Sequence, residues 1–182
     1  MKNILIIGAG KSSSYLIKYL LEKSNEEKLH ITIGDISTEH SNKLINNHKN
    51  AKSVILDIFN IKQRHYFIKK ADIIISMLPA RFHIEVAKDC ITYKKHMVTA
   101  SYISKEMLEL DAAVKEKGLV FMNEIGVDPG IDHMSAMQVI DRIRKNDGKM
   151  LLFESFTGGL VALESDTNLW NYKFTWNPRN VV

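Results

Sequence analysis

Two stretches of this chain hold residues whose types and spacing can do chemistry. The first is Gly8-Ala-Gly10-Lys-Ser-Ser13. Gly8 permits a tight turn, Gly10 lets backbone come close to a pyrophosphate, and a helix that follows offers unpaired N–H groups and partial positive charge. Lys11, Ser12 and Ser13 add a cation and two hydroxyls for phosphate contact. Ser13 stands where such motifs carry a third Gly or Ala, and is small enough for helix–strand packing. The second stretch runs from Asn123 to His133, Asn-Glu-Ile-Gly-Val-Asp-Pro-Gly-Ile-Asp-His, with three carboxylates, a His and an Asp-Pro-Gly turn. Glu124, Asp128, Asp132 and His133 make a metal site conceivable, but their spacing matches no standard ligand pattern, so no metal is assigned.

Other candidates lie between these two. Gly10-Lys11-Ser12 resembles the end of a P-loop, but that motif needs a Gly five residues before Gly10, where Leu5 stands. Asp35 ends an apolar run and is placed to take the adenosine ribose hydroxyls, which would repel a 2′-phosphate and favour NAD over NADP. Its rival role is to cap the helix of Glu39 to His48, as is that of Ser37. Asp57, with Ile58 beside it, is a candidate for the adenine edge, or else a plain loop acid. His83 opens a helix, where an exposed His is more often idle than catalytic. Cys90 has no adjacent His to activate it and reads as a buried or idle thiol.

The elements that must hold these residues follow from hydrophobic patterning. Short apolar runs at Asn3–Gly8, Leu29–Asp35, Ser53–Asp57, Ala71–Met77, His96–Ala100 and Leu119–Met122 alternate with amphipathic runs. That alternation predicts an α/β fold, a Rossmann-type doubly wound parallel sheet of order 3-2-1-4-5-6. In that order Met77, Leu78 and Pro79 border the cofactor crevice where the winding reverses. Ser101 and Tyr102 lie just past the fifth strand's carboxyl end. Helices are expected at Tyr15–Lys23, at Glu106–Lys117 with Met107, Leu110 and Val114 inward, and from Gly130 to Asn146. The last has Asp128 as N-cap, Pro129 as its first residue, and Met134, Met137, Ile140 and Ile143 inward. Lys149–Thr157 reads as one more strand. The division is residues 1–123 as an NAD(P)-binding Rossmann domain and 124–182 as the incomplete start of an α+β substrate domain.

Composition narrows the class. The 182 residues are 45% hydrophobic and carry a formal charge of +4. The pI near 9.0 is only mildly basic. The densest basic run, Lys62 to Lys70, is read as a solvated helix with Ile61, Phe67 and Ile68 buried rather than a nucleic-acid patch. One cysteine excludes an internal disulfide and fits a reducing compartment. No apolar run reaches membrane-span length. The expectation is a cytoplasmic protein with a small-molecule substrate and neither nucleic acid nor membrane as partner.

Asn123–His133, Ser101-Tyr102, Gly158-Gly-Leu160 and Tyr172-Lys-Phe-Thr-Trp-Asn-Pro-Arg179 together resemble the glutamate-forming saccharopine dehydrogenase, or saccharopine reductase, family. The resemblance runs the length of the chain and matches about the amino-terminal half of family members. It implies an oxidoreductase of lysine metabolism, with hydride transfer between NAD or NADP and the CH–NH bond of saccharopine. It implies substrate contacts at Ser101, Tyr102, Asp128, Trp176 and Arg179, with Tyr102 and Asp128 the first candidates for proton transfer. A homodimer through the second domain is also implied. Two departures stand out. Gly158-Gly-Leu-Val-Ala-Leu-Glu164 lacks two prolines of the family's loop, and Asp35 stands where NADP-using fungal members carry Arg nearby. Two alternatives stay open: a relative acting on a carboxylated polyamine, and an inactive dinucleotide-binding fragment.

Overall fold

The first apolar run is buried on both faces, and that sets the architecture. In β1 (Lys2–Ile7) the exposures of Ile4, Leu5, Ile6 and Ile7 are 6%, 1%, 0% and 1%. A strand turns alternate residues to opposite faces, so both faces of this one must be covered. Ile4 and Ile6 pack with Ile31 and Ile33 of β2 (Leu29–Asp35), under Ile17 and Leu21 of α1 (Ser14–Lys23) and Ile45 of α2 (Glu39–Ile45). Leu5 and Ile7 face the opposite core. There β4 (Ile73–Ser76) and β5 (His96–Thr99) contribute Ile74 and Met97, α3 (Ile61–Lys70) contributes Ile68, and α4 (His83–Thr92) contributes Val86, Ala87 and Cys90.

The computed structural model describes residues 1–156, 158–159 and 161–174. With β3 (Ala51–Ile55) and β6 (Phe121–Met122) the sheet has six strands in the order β3-β2-β1-β4-β5-β6, every pair parallel. This is the doubly wound order expected from the sequence. Its register aligns Ile7 with Ser76 and Ser76 with Thr99. All carboxyl ends therefore open on one edge, and the loops that leave them are neighbours.

Several boundaries differ from the expectation. The helix expected over Glu106–Lys117 is two pieces, α5 (Lys105–Glu109) and α6 (Asp111–Glu116), although Met107 and Val114 are buried as foreseen. Ser104 caps α5 by accepting the Met107 N–H at 3.2 Å. In α3, Ile61 is exposed and Arg64 is buried instead. The Arg64 guanidinium donates through Nε to Asp89 and through Nη1 to the Ile58 carbonyl at 2.7 Å. A buried charge needs such partners, and apolar periodicity does not report them.

The chain divides into two compact units, Met1–Ile131 and Asp132–Val182. The second begins within α7 (Ile131–Lys145) and contains a 3₁₀ turn at Leu163–Ser165. Met134 and Met137 of α7 are exposed, Ile143 is half-buried and Ile140 is buried, so the expected apolar stripe is only partly covered. The strand expected over Lys149–Thr157 does not form among the described residues, and Leu151, Leu152, Phe153 and Phe156 are exposed. A strand's N–H and C=O groups need a neighbouring ladder, and none pairs with this segment there.

The buried Arg64–Asp89 pair tests the packing of α3 on α4. Removing one partner of a buried pair leaves the other charge desolvated, so Arg64→Met should cost about 3 kcal/mol, measured by urea denaturation. His65, 3.1 Å from the other Asp89 oxygen, offsets part of that loss.

Candidate functional site

The glycine turn follows β1. Gly8 has φ +101°, and a Cβ there would stand 2.8 Å from the Met77 carbonyl oxygen, so only Gly fits where β1 and β4 part. Gly10 has no atom within 4 Å of its would-be Cβ and faces open space. A 3₁₀ turn, Lys11–Ser13, runs straight into α1, and the first N–H groups of such a helix have no intrahelical partner. Lys11 and Ser12 are exposed on it. Ser13 differs from the phosphate-donor expectation. It is fully buried and its hydroxyl donates to the Gly10 carbonyl at 2.7 Å, which closes the turn from inside.

Register sets Gly34 opposite Ile7, which brings Asp35 beside the turn. Its Oδ2 accepts the Ala9 N–H at 2.5 Å, and its Oδ1 accepts from Ser37 N–H at 3.4 Å. Asp35 therefore does not cap α2; the N-cap position is Thr38, without a side-chain bond, and Ser37 Oγ accepts from Glu39 N–H at 3.3 Å. Ala9, Gly10, Asp35, Ser37, Glu39, His40 and Lys43 line a cavity of about 370 Å³ there. Lys43 is paired to Glu39 at 2.9 Å. Across the turn, Met77 and Leu78 are half-buried and Pro79 is exposed, with Met77 N–H donating to the Ile7 carbonyl at 2.8 Å.

Two of the expected cofactor contacts have partners within the chain. Asp57 Oδ1 accepts the Phe59 N–H at 2.9 Å in a local turn. The Ile58 side chain is in the core and its carbonyl is held by Arg64. A larger cavity of about 550 Å³, lined by Asn3, His30, Lys52 and Tyr66 among others, involves the amino-terminal parts of the strands and not this edge.

Ser101 sits at the head of a buried polar chain. His83, expected to be exposed, is only 4% exposed. Its Nδ1 is 2.8 Å from Ser76 Oγ and its Nε2 is 2.7 Å from Ser101 Oγ, with Thr99 Oγ1 at 3.3 Å. Burial holds its imidazole well below the ordinary value, at about 4. The signal for this was present in the strands. Ser76 and Thr99 take the same alternation as buried Ile74 and Met97, and an inward hydroxyl must find a partner. By contrast, Cys90 is inert, since burial pushes its thiol pKa up strongly.

Tyr102 and Asp128 are brought together by the loops after β5 and β6. Glu124 N–H donates to the Ser101 carbonyl at 3.0 Å, and Glu124 Oε1 accepts the Ile103 N–H at 3.1 Å. Gly126 N–H to Pro129 C=O at 2.9 Å and Ile131 N–H to Gly126 C=O at 3.0 Å then close a tight loop. Asp128 projects from that loop, exposed, and accepts the Tyr102 hydroxyl at 3.1 Å. It is not the expected helix cap. Helix α7 starts at Ile131, and Gly130 before it has φ +149°, outside the helical region. A Cβ on Gly130 would lie 2.2 Å from the Gly126 carbonyl oxygen.

Of the remaining expectations, Trp176, Arg179 and Leu160 lie outside the described residues. His133 Nδ1 is 2.8 Å from Asp132 Oδ1. No group of three metal-ligand side chains occurs among the described residues, and no helix there is long and apolar enough to cross a membrane.

Comparison with known proteins agrees along the whole chain. Residues 4–122 match the model for the saccharopine dehydrogenase NADP binding domain, and residues 126–182 the model for the saccharopine dehydrogenase C-terminal domain. A saccharopine dehydrogenase [NADP(+), L-glutamate-forming] from Pyricularia oryzae is 36% identical over all of this chain and 39% of its own length. The mitochondrial alpha-aminoadipic semialdehyde synthase of Mus musculus is 35% identical over 19% of its length. The apo saccharopine dehydrogenase (L-Glu forming) from Saccharomyces cerevisiae superposes with TM-score 0.82 at 34% identity, covering 100% of this chain and 40% of that one. The chain thus spans about two-fifths of the length of those dehydrogenases.

The buried imidazole has a consequence for pH. In the folded chain His83 takes a proton only near pH 4, whereas unfolded it does so near 6.5. Between those values the unfolded state binds more protons. The site's contribution is therefore complete above pH 6.5 and is lost as pH falls towards 4. The loss amounts to about 3 kcal/mol. In urea titrations across this range, His83→Gln should show a flatter stability profile than the unmodified chain.

Proposed function

The chain belongs to the saccharopine dehydrogenase family, and we propose that it serves the glutamate-forming reaction, oxidation or reduction at the C–N bond of saccharopine with a nicotinamide dinucleotide. One observation carries the reading: the Tyr102 hydroxyl meets the Asp128 carboxylate at 3.1 Å on loops that leave the carboxyl ends of β5 and β6. In an open parallel sheet ligands occupy that edge. Saccharopine links glutamate nitrogen to a side-chain carbon, so its cleavage needs an imine to be split by water and protons to be moved.

The glycine turn suits the cofactor. Gly10 leaves room for a pyrophosphate, the first turn of α1 offers backbone N–H groups, and Lys11 and Ser12 are exposed beside them. Met77, Leu78 and Pro79 flank the crevice from β4. When bound there, the dinucleotide supplies or takes up the hydride. The chain's own residues handle position and protons. Asp128 accepts a proton from the attacking water and returns one in the reverse direction. Tyr102, donating to Oδ1, fixes the carboxylate so that Oδ2 is the working oxygen. Ser101 binds the ligand beside them, and residues 124–182 begin the substrate-binding part, with Trp176 and Arg179 in it.

Asp35 supports NAD as the preferred cofactor. Held by Ala9 N–H, its carboxylate suits ribose hydroxyls and repels a 2′-phosphate, as does Glu39 across the same cavity. The competing reading is NADP, which the names of the matched relatives carry, and which His40 and Lys43 would favour once Lys43 left Glu39.

Turnover is followed at the nicotinamide absorbance band with saccharopine and each cofactor. Asp128→Asn should lower kcat by about a hundredfold with little change in KM, in keeping with loss of a proton-transfer group. Asp35→Ser should raise KM for NAD by about tenfold and lower it for NADP. Turnover of a carboxylated polyamine in preference to saccharopine would change the substrate assignment. Dinucleotide binding with no turnover of any amine would replace the enzyme reading by a binding module.

A further inference from the structure

The Ser76–His83–Ser101 chain fixes the direction of its own hydrogen bonds. His83 is neutral in the folded chain, so one ring nitrogen carries a hydrogen and the other accepts one. Ser76 Oγ is fully buried, and its one hydrogen-bond partner among the described residues is His83 Nδ1, at 2.8 Å. Suppose Nδ1 carried the hydrogen. The Ser76 hydroxyl hydrogen would then have no acceptor, and Nε2 could take only one of the Ser101 and Thr99 hydroxyls. If it took Ser101, two buried hydroxyl hydrogens, of Ser76 and Thr99, would be stranded. If it took Thr99, Ser101 Oγ would face a bare lone pair at 2.7 Å. With the hydrogen on Nε2, Ser76 donates to Nδ1, Nε2–H donates to Ser101 Oγ, and only the Thr99 hydrogen lacks a partner. Thr99 Oγ1 still accepts the Ser101 N–H at 3.3 Å. Buried polar groups settle into the arrangement that leaves fewest unpaired.

We propose that His83 is a positioning residue: in its Nε2–H form it donates to one of the two lone pairs of Ser101 Oγ, so that the Ser101 hydrogen is not spent on the imidazole and is left to donate to a ligand oxygen, a carboxylate or a carboxamide. Ser101 is half-buried just past the carboxyl end of β5, the edge on which open parallel sheets carry ligands. A serine whose neighbour accepted its hydrogen would instead offer only lone pairs and would select an amine. The chain therefore gives Ser101 a preference for oxygen acceptors. The ligand half of this inference rests on Ser101 being a ligand contact, as read under Proposed function. The oxygen belongs either to the substrate's carboxylates or to the nicotinamide carboxamide.

Two measurements on the chain test it, neither needing turnover. Long-range proton–nitrogen correlation spectra of the ¹⁵N-labelled chain at neutral pH, with the His83 signals identified by their loss in His83→Gln, should show a protonated Nε2 and a bare Nδ1. A protonated Nδ1 overturns the proposal. Calorimetric binding of saccharopine and of the dinucleotide supplies the second arm. Ser101→Ala should weaken one of them by about tenfold. Weakening confined to saccharopine assigns the carboxylate, and weakening confined to the dinucleotide assigns the carboxamide. His83→Gln, whose side-chain N–H reaches the Nε2 position, should retain affinity within about threefold, and adding His83→Leu to Ser101→Ala should cost no further affinity. Additive losses would make His83 merely structural and overturn its positioning role; if His83→Leu does not fold, the tautomer and the Gln variant decide. An Ser101→Ala chain that binds both ligands normally sinks the ligand half and the reading of Ser101, while the tautomer assignment stands.

Discussion

The parallel register of β1, β4 and β5 is the constraint on which the rest of the unit Met1–Ile131 depends. It aligns Ile7, Ser76 and Thr99 in one row, so the residues just beyond them emerge side by side. Gly8 and Met77 are neighbours for that reason, being far apart in sequence. The same register between β1 and β2 carries Asp35 to the Ala9 N–H. A slip of one residue would turn every buried strand side chain to the opposite face, and the apolar run of β1, covered on both sides, leaves no room for polar substitutes.

Polar groups near that row are handled in two ways. Where solvent is excluded, they are satisfied inside: Ser13 on Gly10, His83 between Ser76 and Ser101, Arg64 on Asp89 and the Ile58 carbonyl. Where the edge opens, carboxylates are less buried: Asp35 lines a cavity while held by backbone N–H groups, and Asp128 is exposed beside Tyr102. This division is what a ligand site on an open sheet needs, with rigid support behind and unsatisfied valence in front. It also separates chemically similar residues by role. Ser12 and Ser13 are adjacent, yet one is exposed and the other is a structural part of the turn.

The Asn123–His133 stretch illustrates the same logic at the end of the sheet. Two loop exits, after β5 and after β6, are cross-tied by Glu124, and the Gly126–Gly130 loop is closed on itself by backbone bonds. Asp128 owes its position to that closure, and its partner Tyr102 owes its own to β5. A carboxylate and a phenol from separate loops thus meet without either loop being part of a regular element.

What the sequence determined by itself was the sheet. Short unbroken apolar runs, Gly after the first strand and acids at the strand ends are local features, and the strand order followed from their alternation with helices. The motifs of the family were equally local, which is why the resemblance could be drawn from residues alone. Only the tertiary structure decided which polar residues were available. Thr38 and not Asp35 stands at the start of α2, Asp128 meets Tyr102 instead of capping α7, Ile58 is core, and His83 is buried. Each outcome depends on a hydrogen-bond partner or a packing neighbour distant in sequence, and a side chain's nearest partner in space is not encoded in its spacing along the chain. The strand expected at Lys149–Thr157 does not form among the described residues, for the same reason. Propensity is local, but the ladder that satisfies a strand must come from elsewhere in the fold.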